Sequence, residues 1–268
     1  MYKFYFILQL AAITFTFSQC NQPVAPKHAA ERKRIEPKSI GYHIEDAKEW
    51  LKTHATDSVL QRIVFAVNRV DMKHLPLLDT IIVPNDGSGD IEYYMPFPLN
   101  VPDIKTVQKI LFFSYSTQSF AAYEMGELVH TGPVSMGREK DITPSGLYYT
   151  NWKAEKTTST FNDEWELKWN FNIENKLGIG FHQYDLPGYP ASHSCLRLLE
   201  KDAMYLYNWA DQWILDEKNK DSIRTKGTPV IIFGSYPFGS AKPWLQLLND
   251  PHSLDISPAT LGREWGRF

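Results

Sequence analysis

The sequence predicts an α+β protein in which a small helical segment precedes a larger, mainly β domain. Two observations carry this prediction. Between residues 44 and 70, apolar residues recur at the three- and four-residue spacing of amphipathic helices. From about residue 105 onward, short alternating or fully apolar segments bounded by glycine and proline predominate, which is the pattern of β-strands.

Length and composition restrict the class of protein further. The chain has 268 residues, of which 43% are hydrophobic and 22% charged, enough for one large domain or two small ones with a real core. Basic residues number 28 and acidic residues 31, so we expect no general nucleic-acid partner, which would require a basic surplus. Two cysteines, Cys20 and Cys195, exclude a disulfide-rich scaffold and a four-thiolate zinc site.

The first twenty residues have the pattern of a secretory signal. Lys3 precedes an apolar run from Phe4 to Phe17, which is shorter than the roughly 20 residues of a membrane-spanning helix. The run ends at Cys20, and this ending resembles the lipobox of bacterial lipoproteins, although Phe17 and Gln19 depart from it. We therefore expect export to the bacterial envelope or periplasm, with a lipid anchor at Cys20. Ordinary export with cleavage nearby is the alternative.

Residues 21–40 are predicted to be a tether. They contain three prolines, clustered basic residues and few large apolar side chains. Residues 1–40 hold six basic and two acidic residues, so the basic bias of the chain is concentrated here. Such a segment is either a solvated linker or one that lies on an anionic lipid surface.

A small helical subdomain is predicted over residues 41–103. Helical spacing runs from Ile44 to Ala55 and again over residues 59–70, and a short apolar strand, Thr80–Val83, ends at a proline. This order of helix, asparagine, loop and strand resembles the second half of a LysM peptidoglycan-binding motif. The alternative is a helical unit that simply packs on the following domain.

The second half of the chain reads as strands with one helix. Two alternating apolar segments flank Met125-Gly126, which predicts a hairpin. Residues 179–182 and 229–234 are short apolar strands, and residues 198–214 read as one helix between them.

The chemistry-bearing residues lie between these last two strands. His182 ends a predicted strand, a loop rich in proline and glycine follows, and then come His193 and Cys195, with a helix expected a few residues later. A thiol becomes a strong nucleophile only as a thiolate, and an imidazole or a nearby helix N-terminus favours that form. The same residues are also compatible with a buried inert thiol or with a zinc site formed by His182, His193 and Cys195.

At these residues the chain resembles the L,D-transpeptidase (YkuD-type) catalytic domain. The family motif is a histidine, a variable loop, then Ser/Thr-His-Gly-Cys, an aliphatic residue and Arg or Asn; here it reads His182 and Ser192 to Arg197. Two further stretches, residues 130–149 and 225–233, are similar to the family in the same order. The resemblance implies a β-sandwich with a flanking helix. It divides the chain into segments 1–20 (signal), 21–40 (tether), 41–103 (helical), 104–236 (catalytic) and 237–268 (tail of unassigned function).

The resemblance also implies a reaction on peptidoglycan stem peptides. Cys195 would form a thioester with the third stem residue, release the terminal D-amino acid and pass the acyl group to an amine, which makes a 3→3 cross-link. Water in place of the amine would give an L,D-carboxypeptidase. No cofactor and no metal are implied.

Roles for the supporting residues follow from the same resemblance. His182 would be the general base, oriented by the backbone carbonyl of Gln183, and Arg197 would bind a substrate carboxylate. The oxyanion pocket would be formed by three residues and backbone N–H groups around the nucleophile: Ser192, His193 and Ser194.

Two residues depart from the family pattern, which usually has glycine where this chain has Gln183 and Ser194. A serine in place of a glycine that adopts positive φ carries a conformational cost. A catalytically silent, cell-wall-binding lipoprotein is therefore an alternative. A papain-type hydrolase is disfavoured, because here the cysteine follows the histidine in a β-rich context.

Overall fold

The computed structural model describes residues 33–158 and 166–268. The predictions for the signal, for Cys20 and for most of the tether lie outside these residues. Residues 34–268 form one compact unit, and the boundaries predicted within it stay predictions. In the described part of the chain, none of the helices has the length and apolar character needed to cross a bilayer.

The N-terminal part has the order strand, helix, helix, strand. Its elements are β1 (Tyr42–Asp46), α1 (Ala47–Thr53), α2 (Ser58–Asn68) and β2 (Thr80–Pro84). β1 pairs antiparallel with β2, and both helices pack on this two-stranded sheet around Trp50 and Val64, which are buried. The elements on which the LysM-like prediction depended are present, and glycan binding by this unit stays a prediction.

The helix predicted from Ile44 begins later than expected. Asp46 is its N-cap, and its carboxylate accepts the backbone N–H groups of Lys48 and Glu49. Ile44 instead belongs to β1, where it lies opposite Ile82. Pairing with a strand nearly forty residues away therefore overrides the local helical spacing.

The remaining elements form a nine-stranded sheet, a small two-stranded sheet and two further helices. The strands are β3 (Lys109–Ser114), β4 (Ser119–Glu124), β5 (Glu127–Ser135), β6 (Gly146–Tyr149), β7 (Lys153–Thr158), β8 (Glu166–Glu174), β9 (Ile179–Gln183), β10 (Leu196–Leu198), β11 (Ile214–Leu215), β12 (Ile223–Thr225) and β13 (Pro229–Phe233). The helices are α3 (Glu200–Trp209) and α4 (Pro258–Gly266). Single 3₁₀ turns occur at 75–77, 91–94, 102–104 and 243–248.

The large sheet curls back on itself. Its strand order is β6-β13-β3-β4-β5-β10-β9-β8-β7, and the pairs β13–β3 and β10–β9 are parallel. The two edge strands, β6 and β7, are separated in the chain only by residues 150–152, so the two edges of the sheet come together there. The mainly β prediction is confirmed, and the layers of the predicted sandwich are the two halves of one curled sheet.

The main core lies between these halves. It joins large buried side chains from both halves of the sheet with two residues of α3: Phe113, Phe120, Phe171, Phe181, Ala203 and Leu206. A second cluster, on the opposite face of β3, β4 and β13, includes Leu261 of α4. Fully burying each large apolar side chain contributes roughly 1.5–3 kcal/mol, so this core is what holds the curled sheet closed.

Two local predictions for the second half have different outcomes. The hairpin at Met125-Gly126 is confirmed, with φ of 49° and 84° at the two turn residues, as in type I′ turns. The helix predicted over 198–214 is shorter, because Leu198 belongs to β10 and the backbone at Ala210 is extended.

Candidate active site

His182 and Cys195 meet because β9 and β10 are parallel neighbours. Leu196 lies opposite Phe181 and Arg197 lies opposite His182. Successive side chains of a strand point to opposite faces. Leu196 and Phe181 point into the main core, so Arg197, His182 and Cys195 share the other face.

Cys195 has a free thiol and is partly buried. Its Sγ lies 3.6 Å from the carbonyl oxygen of Gly178, to which it donates. Burial raises the pKa of the thiol, while the backbone N–H of Gly180 and the charge of Arg197 oppose that rise. Cys195 is therefore a neutral thiol at neutral pH.

A helix begins a few residues after Cys195, as predicted, but a short strand separates the two. Residues 196–198 form β10, and α3 begins only at Glu200. The positive charges at a helix N-terminus act within the first turn. The N-terminus of α3 therefore does not supply the stabilisation of the thiolate that the sequence predicted.

His182 is held as a neutral imidazole. Its Nδ1 lies 2.9 Å from the carbonyl oxygen of Gln183, and because a carbonyl only accepts, Nδ1 carries the hydrogen and Nε2 the lone pair. Burial lowers the pKa of His182 to about 4; the bond to Gln183 opposes this shift and the charge of Arg197 adds to it. At neutral pH this ring is able to accept a proton at Nε2.

Arg197 brings a positive charge to the same face. Its guanidinium lies 4.5 Å from the centre of the Tyr184 ring, and the Tyr184 ring meets the His182 ring edge-on at 6.1 Å. Burial lowers the pKa of Arg197, yet a guanidinium stays protonated in proteins. A stacked, permanently charged arginine is suited to a planar carboxylate.

Ser194 adopts a left-handed backbone conformation that favours glycine, with φ of 80°. Its hydroxyl donates to the carbonyl oxygens of Asp141 (3.0 Å) and Ile142 (3.3 Å). In return, the Thr143 hydroxyl donates to the carbonyl of Ser194 at 2.9 Å. These bonds offset part of the cost of a non-glycine residue in the left-handed region.

Ser192 and His193 complete the turn that carries the nucleophile. Ser192 is buried, and its hydroxyl donates to the carbonyl of Cys195 at 2.5 Å. His193 is partly exposed, with Nε2 3.9 Å from Oδ2 of Asp141. Partial burial lowers the pKa of His193, and the charge of Arg138 adds to this effect.

The loop over residues 138–143 supports the nucleophile turn, a role that was not predicted. Gly137 precedes this loop, and its N–H donates to the Thr143 hydroxyl at 2.9 Å. A Cβ on Gly137 would lie 2.1 Å from the carbonyl oxygen of Asp141, so only glycine fits there. The signal was present as a Ser-x-Gly followed by Thr-Pro, residues 135–137 and 143–144.

Comparison with known families identifies this arrangement. Residues 108–232 match the family model of the L,D-transpeptidase catalytic domain, YkuD. Over these residues the chain is similar to the L,D-transpeptidase catalytic domain. The matched range contains β3 to β12, most of β13 and the residues of the nucleophile turn.

Solved L,D-transpeptidases resemble this domain at low identity. The L,D-transpeptidase of Stackebrandtia nassauensis is 22% identical, with a TM-score of 0.39, over 48% of this chain and 57% of that one. The L,D-transpeptidase of Mycobacterium smegmatis is 17% identical, with a TM-score of 0.38, over 47% of this chain and 59% of that one. That of Enterococcus faecium is 21% identical, with a TM-score of 0.37, over 47% of this chain and 50% of that one. The chain thus spans less than two thirds of these relatives. No curated protein matches the chain.

Within the matched range, the predicted residues differ in what they contribute. His182, Arg197 and Cys195 share one face of adjacent strands. Ser192 and Ser194 hold the nucleophile turn through their hydroxyl groups. Gln183 contributes its backbone carbonyl to the site, and its side chain lines a groove of about 460 Å³ beside α2.

Possible metal ligands converge elsewhere. Among residues 33–158 and 166–268, three side chains bring ligand atoms within 4.8 Å of one another: Asp71, His74 and Asp185. The zinc alternative required His182, His193 and Cys195, whose possible ligand atoms do not lie within 4.8 Å of one another. Asp71 and Asp185 are already engaged, by the backbone N–H of Leu186 and by Lys73 respectively.

Proposed function

We propose that this protein is a cysteine-dependent L,D-transpeptidase that acts on peptidoglycan stem peptides. The observation that carries the proposal is the pairing of β9 with β10, which puts the Cys195 thiol and the His182 imidazole on one face. The imidazole is fixed in the tautomer that accepts at Nε2 by its bond to Gln183. Such a thiol and base are the parts required for nucleophilic acyl transfer.

The pair is neutral before substrate binds. Burial raises the pKa of Cys195 and lowers that of His182, so both resting groups are uncharged at neutral pH. The thiol proton therefore moves to Nε2 of His182 as sulfur attacks the carbonyl of the third stem residue. His182 then gives this proton to the departing amine of the terminal D-amino acid, and a thioester on Cys195 remains.

The second half-reaction returns the enzyme to its starting state. The amine of a second stem attacks the thioester and gives a proton to His182, which returns it to the sulfur as the new amide forms. The product is a 3→3 cross-link. Water in the place of the amine gives a tripeptide, which is the L,D-carboxypeptidase outcome.

Negative charge develops on the substrate carbonyl oxygen as sulfur attacks, and N–H donors are needed to stabilise it. We assign these to the backbone of His193, Ser194 and Cys195, because positive φ at Ser194 bends this turn in the manner of anion-binding nests. Arg197 is assigned to a substrate carboxylate, since its stacked guanidinium lies on the same face as the thiol.

Acylation by a carbapenem tests the nucleophile. A β-lactam ring opens on acylation without losing a fragment, so the whole inhibitor is added to the protein mass. We expect one adduct per chain in the wild type and none in Cys195→Ala, with Cys20→Ala as the matched control that still reacts. A wild type that stays unmodified at every dose would favour the catalytically silent alternative.

Incubation with tetrapeptide muropeptides then distinguishes the two enzymatic outcomes. A dimer with a 3→3 link supports the transpeptidase, and tripeptide alone supports the carboxypeptidase. Both products must disappear in Cys195→Ala and in His182→Gln. Products that persist in either variant would contradict the assigned roles.

Export and anchoring are part of the proposal and depend on the sequence alone. Residues 1–20 have the pattern of a signal, and Cys20 stands where a lipobox cysteine would be acylated. We propose an envelope lipoprotein whose catalytic domain works beside the cell wall. Cys20→Ala should move the protein from the membrane fraction to the soluble fraction, and an unchanged distribution would exclude the lipid anchor.

A further inference from the structure

The loop that joins His182 to Cys195 is held by a segment outside the transpeptidase domain. The backbone N–H of Asp71 donates to the carbonyl of Leu186 at 3.0 Å, and the N–H of Leu186 donates to the Asp71 carboxylate at 2.7 Å. Val70 and Pro187 form an antiparallel bridge beside these bonds. Residues 70–71 precede the matched range 108–232, so this contact is an addition to the domain.

Both oxygens of the Asp71 carboxylate are used. Oδ2 accepts from Leu186, and Oδ1 accepts from the backbone N–H and from Nδ1 of His74, each at 2.8 Å. The Leu186 side chain is fully buried. The contact therefore holds Leu186 of the loop in one position.

The turn that bears Asp71 is itself anchored to the rest of the fold. The side chain of Asn68 donates to the carbonyl of Ile82 at 2.7 Å and accepts its N–H at 2.9 Å, which ties the end of α2 to β2. Arg69 is almost fully buried, and its Nε donates to the carbonyl of Thr117 at 2.6 Å, in the turn between β3 and β4. The turn that bears Asp71 thus connects the loop to α2 and to the large sheet.

Each end of this loop contributes to the active site. At its start, the carbonyl of Gln183 fixes the His182 ring and Tyr184 stacks on Arg197. At its end lies the turn that carries Cys195. We propose that Asp71 is a positioning residue for the transpeptidase reaction, which acts by fixing Leu186 and, through it, the two ends of the loop. The expected effect on the reaction rate rests on the proposed function, whereas the expected effect on the loop rests on geometry alone.

Asp71→Ala tests the inference in the full-length protein, with Asp57→Ala as the matched control. Asp57 lies in the same part of the fold, and its carboxylate caps α2 by accepting the N–H of Leu60 at 2.9 Å. Removing this cap lowers the stability of the fold without touching the loop. Lys73→Ala removes an exposed ion pair with Asp185 and is a second control.

Three measurements decide the question. Hydrogen exchange at the Leu186 amide reports the contact itself, an NMR titration of His182 reports the ring environment, and the rate constant of carbapenem acylation reports the reaction. For Asp71→Ala we expect faster exchange, a His182 pKa that rises by at least one unit, and acylation slower by about 10- to 100-fold. Asp71→Asn keeps one acceptor oxygen and should fall between this variant and the wild type.

Asp57→Ala and Lys73→Ala should leave the titration of His182 and the acylation rate within about twofold of the wild type. The inference is overturned if Asp71→Ala speeds Leu186 exchange but leaves His182 and acylation unchanged. It is also overturned if Asp57→Ala produces the same losses at equal thermal stability. Should the wild type not react with the carbapenem at all, the proposed function fails, and the exchange and NMR measurements still test the positioning role.

Discussion

Replacement of Ser194 by glycine and by alanine separates backbone strain from hydrogen bonding at the nucleophile turn. Ser194 has φ of 80°, where a residue with a Cβ costs about 1–2 kcal/mol and glycine costs almost nothing. Its single hydroxyl proton is shared between the carbonyls of Asp141 and Ile142, a bond worth roughly 0.5–1.5 kcal/mol. Alanine loses the bond and keeps the strain, whereas glycine loses both.

The expected free energies of unfolding follow from these two contributions. Ser194→Ala should be less stable than the wild type by about 1 kcal/mol, because water reaches the two carbonyls only partly. Ser194→Gly should be within about 0.5 kcal/mol of the wild type, since relief of strain offsets the lost bond and the greater freedom of the unfolded glycine. The two variants should therefore differ by about 1 kcal/mol in favour of glycine.

Urea unfolding followed by tryptophan fluorescence measures this difference. For a chain of this size, about 1 kcal/mol corresponds to roughly 2–4 °C in Tm, so a thermal scan provides a second readout. Equal slopes of the unfolding curves would show that the change lies in stability. A glycine variant less stable than the alanine variant would refute the argument, because strain at position 194 would then be negligible.

Three further perturbations test other parts of the structure. Between pH 6.5 and about 4, His182 binds a proton in the unfolded chain but not in the native protein. The free energy of unfolding should therefore fall by up to about 3 kcal/mol as the pH drops through this window, and by less in His182→Gln. Parallel stability-against-pH curves for the two proteins would contradict the burial of a neutral ring. Arg69→Ala removes the side-chain donor of the Thr117 and Val67 carbonyls and should cost at least about 3 kcal/mol. Arg267→Ala removes an exposed ion pair and should cost less than about 1 kcal/mol in the same urea assay. Gly137→Ala would put a Cβ 2.1 Å from a backbone oxygen of the supporting loop and should abolish carbapenem acylation, while Gly266→Ala, which meets no atom within 4 Å, should react like the wild type.

The residues of the candidate site were easier to predict from the sequence than the elements around them. His182 and Cys195 were found from residue types and the family motif, and the glycine-like conformation of Ser194 followed from one departure from that motif. Hairpin residues Met125 and Gly126 carry a local signal, so the turn was predictable as well. In each case the determining information lies within a few residues of the chain.

The misplaced elements have non-local causes. β1 was assigned to a helix because Ile44 has helical spacing to later residues, and only its pairing with Ile82 makes it a strand. The strand β10 has three residues and exists because β5 and β9 flank it. The contact between Asp71 and Leu186 joins residues more than one hundred positions apart, and no local pattern in the sequence predicts it.

The parallel pairing of β9 with β10 has a consequence for how such domains diversify. Because Arg197 opposes His182 in the ladder, the hydrogen bonds of the sheet determine the spacing of the strands that carry the thiol and the imidazole, while the Asp71 contact holds the loop between them at Leu186. The length of the chain beyond Leu186 does not enter that spacing. Residues can therefore be gained or lost near the exposed Tyr189 while the reacting atoms keep their separation. Under the proposed function, a change in loop length would alter the surface that meets the substrate while the positions of His182 and Cys195 are kept.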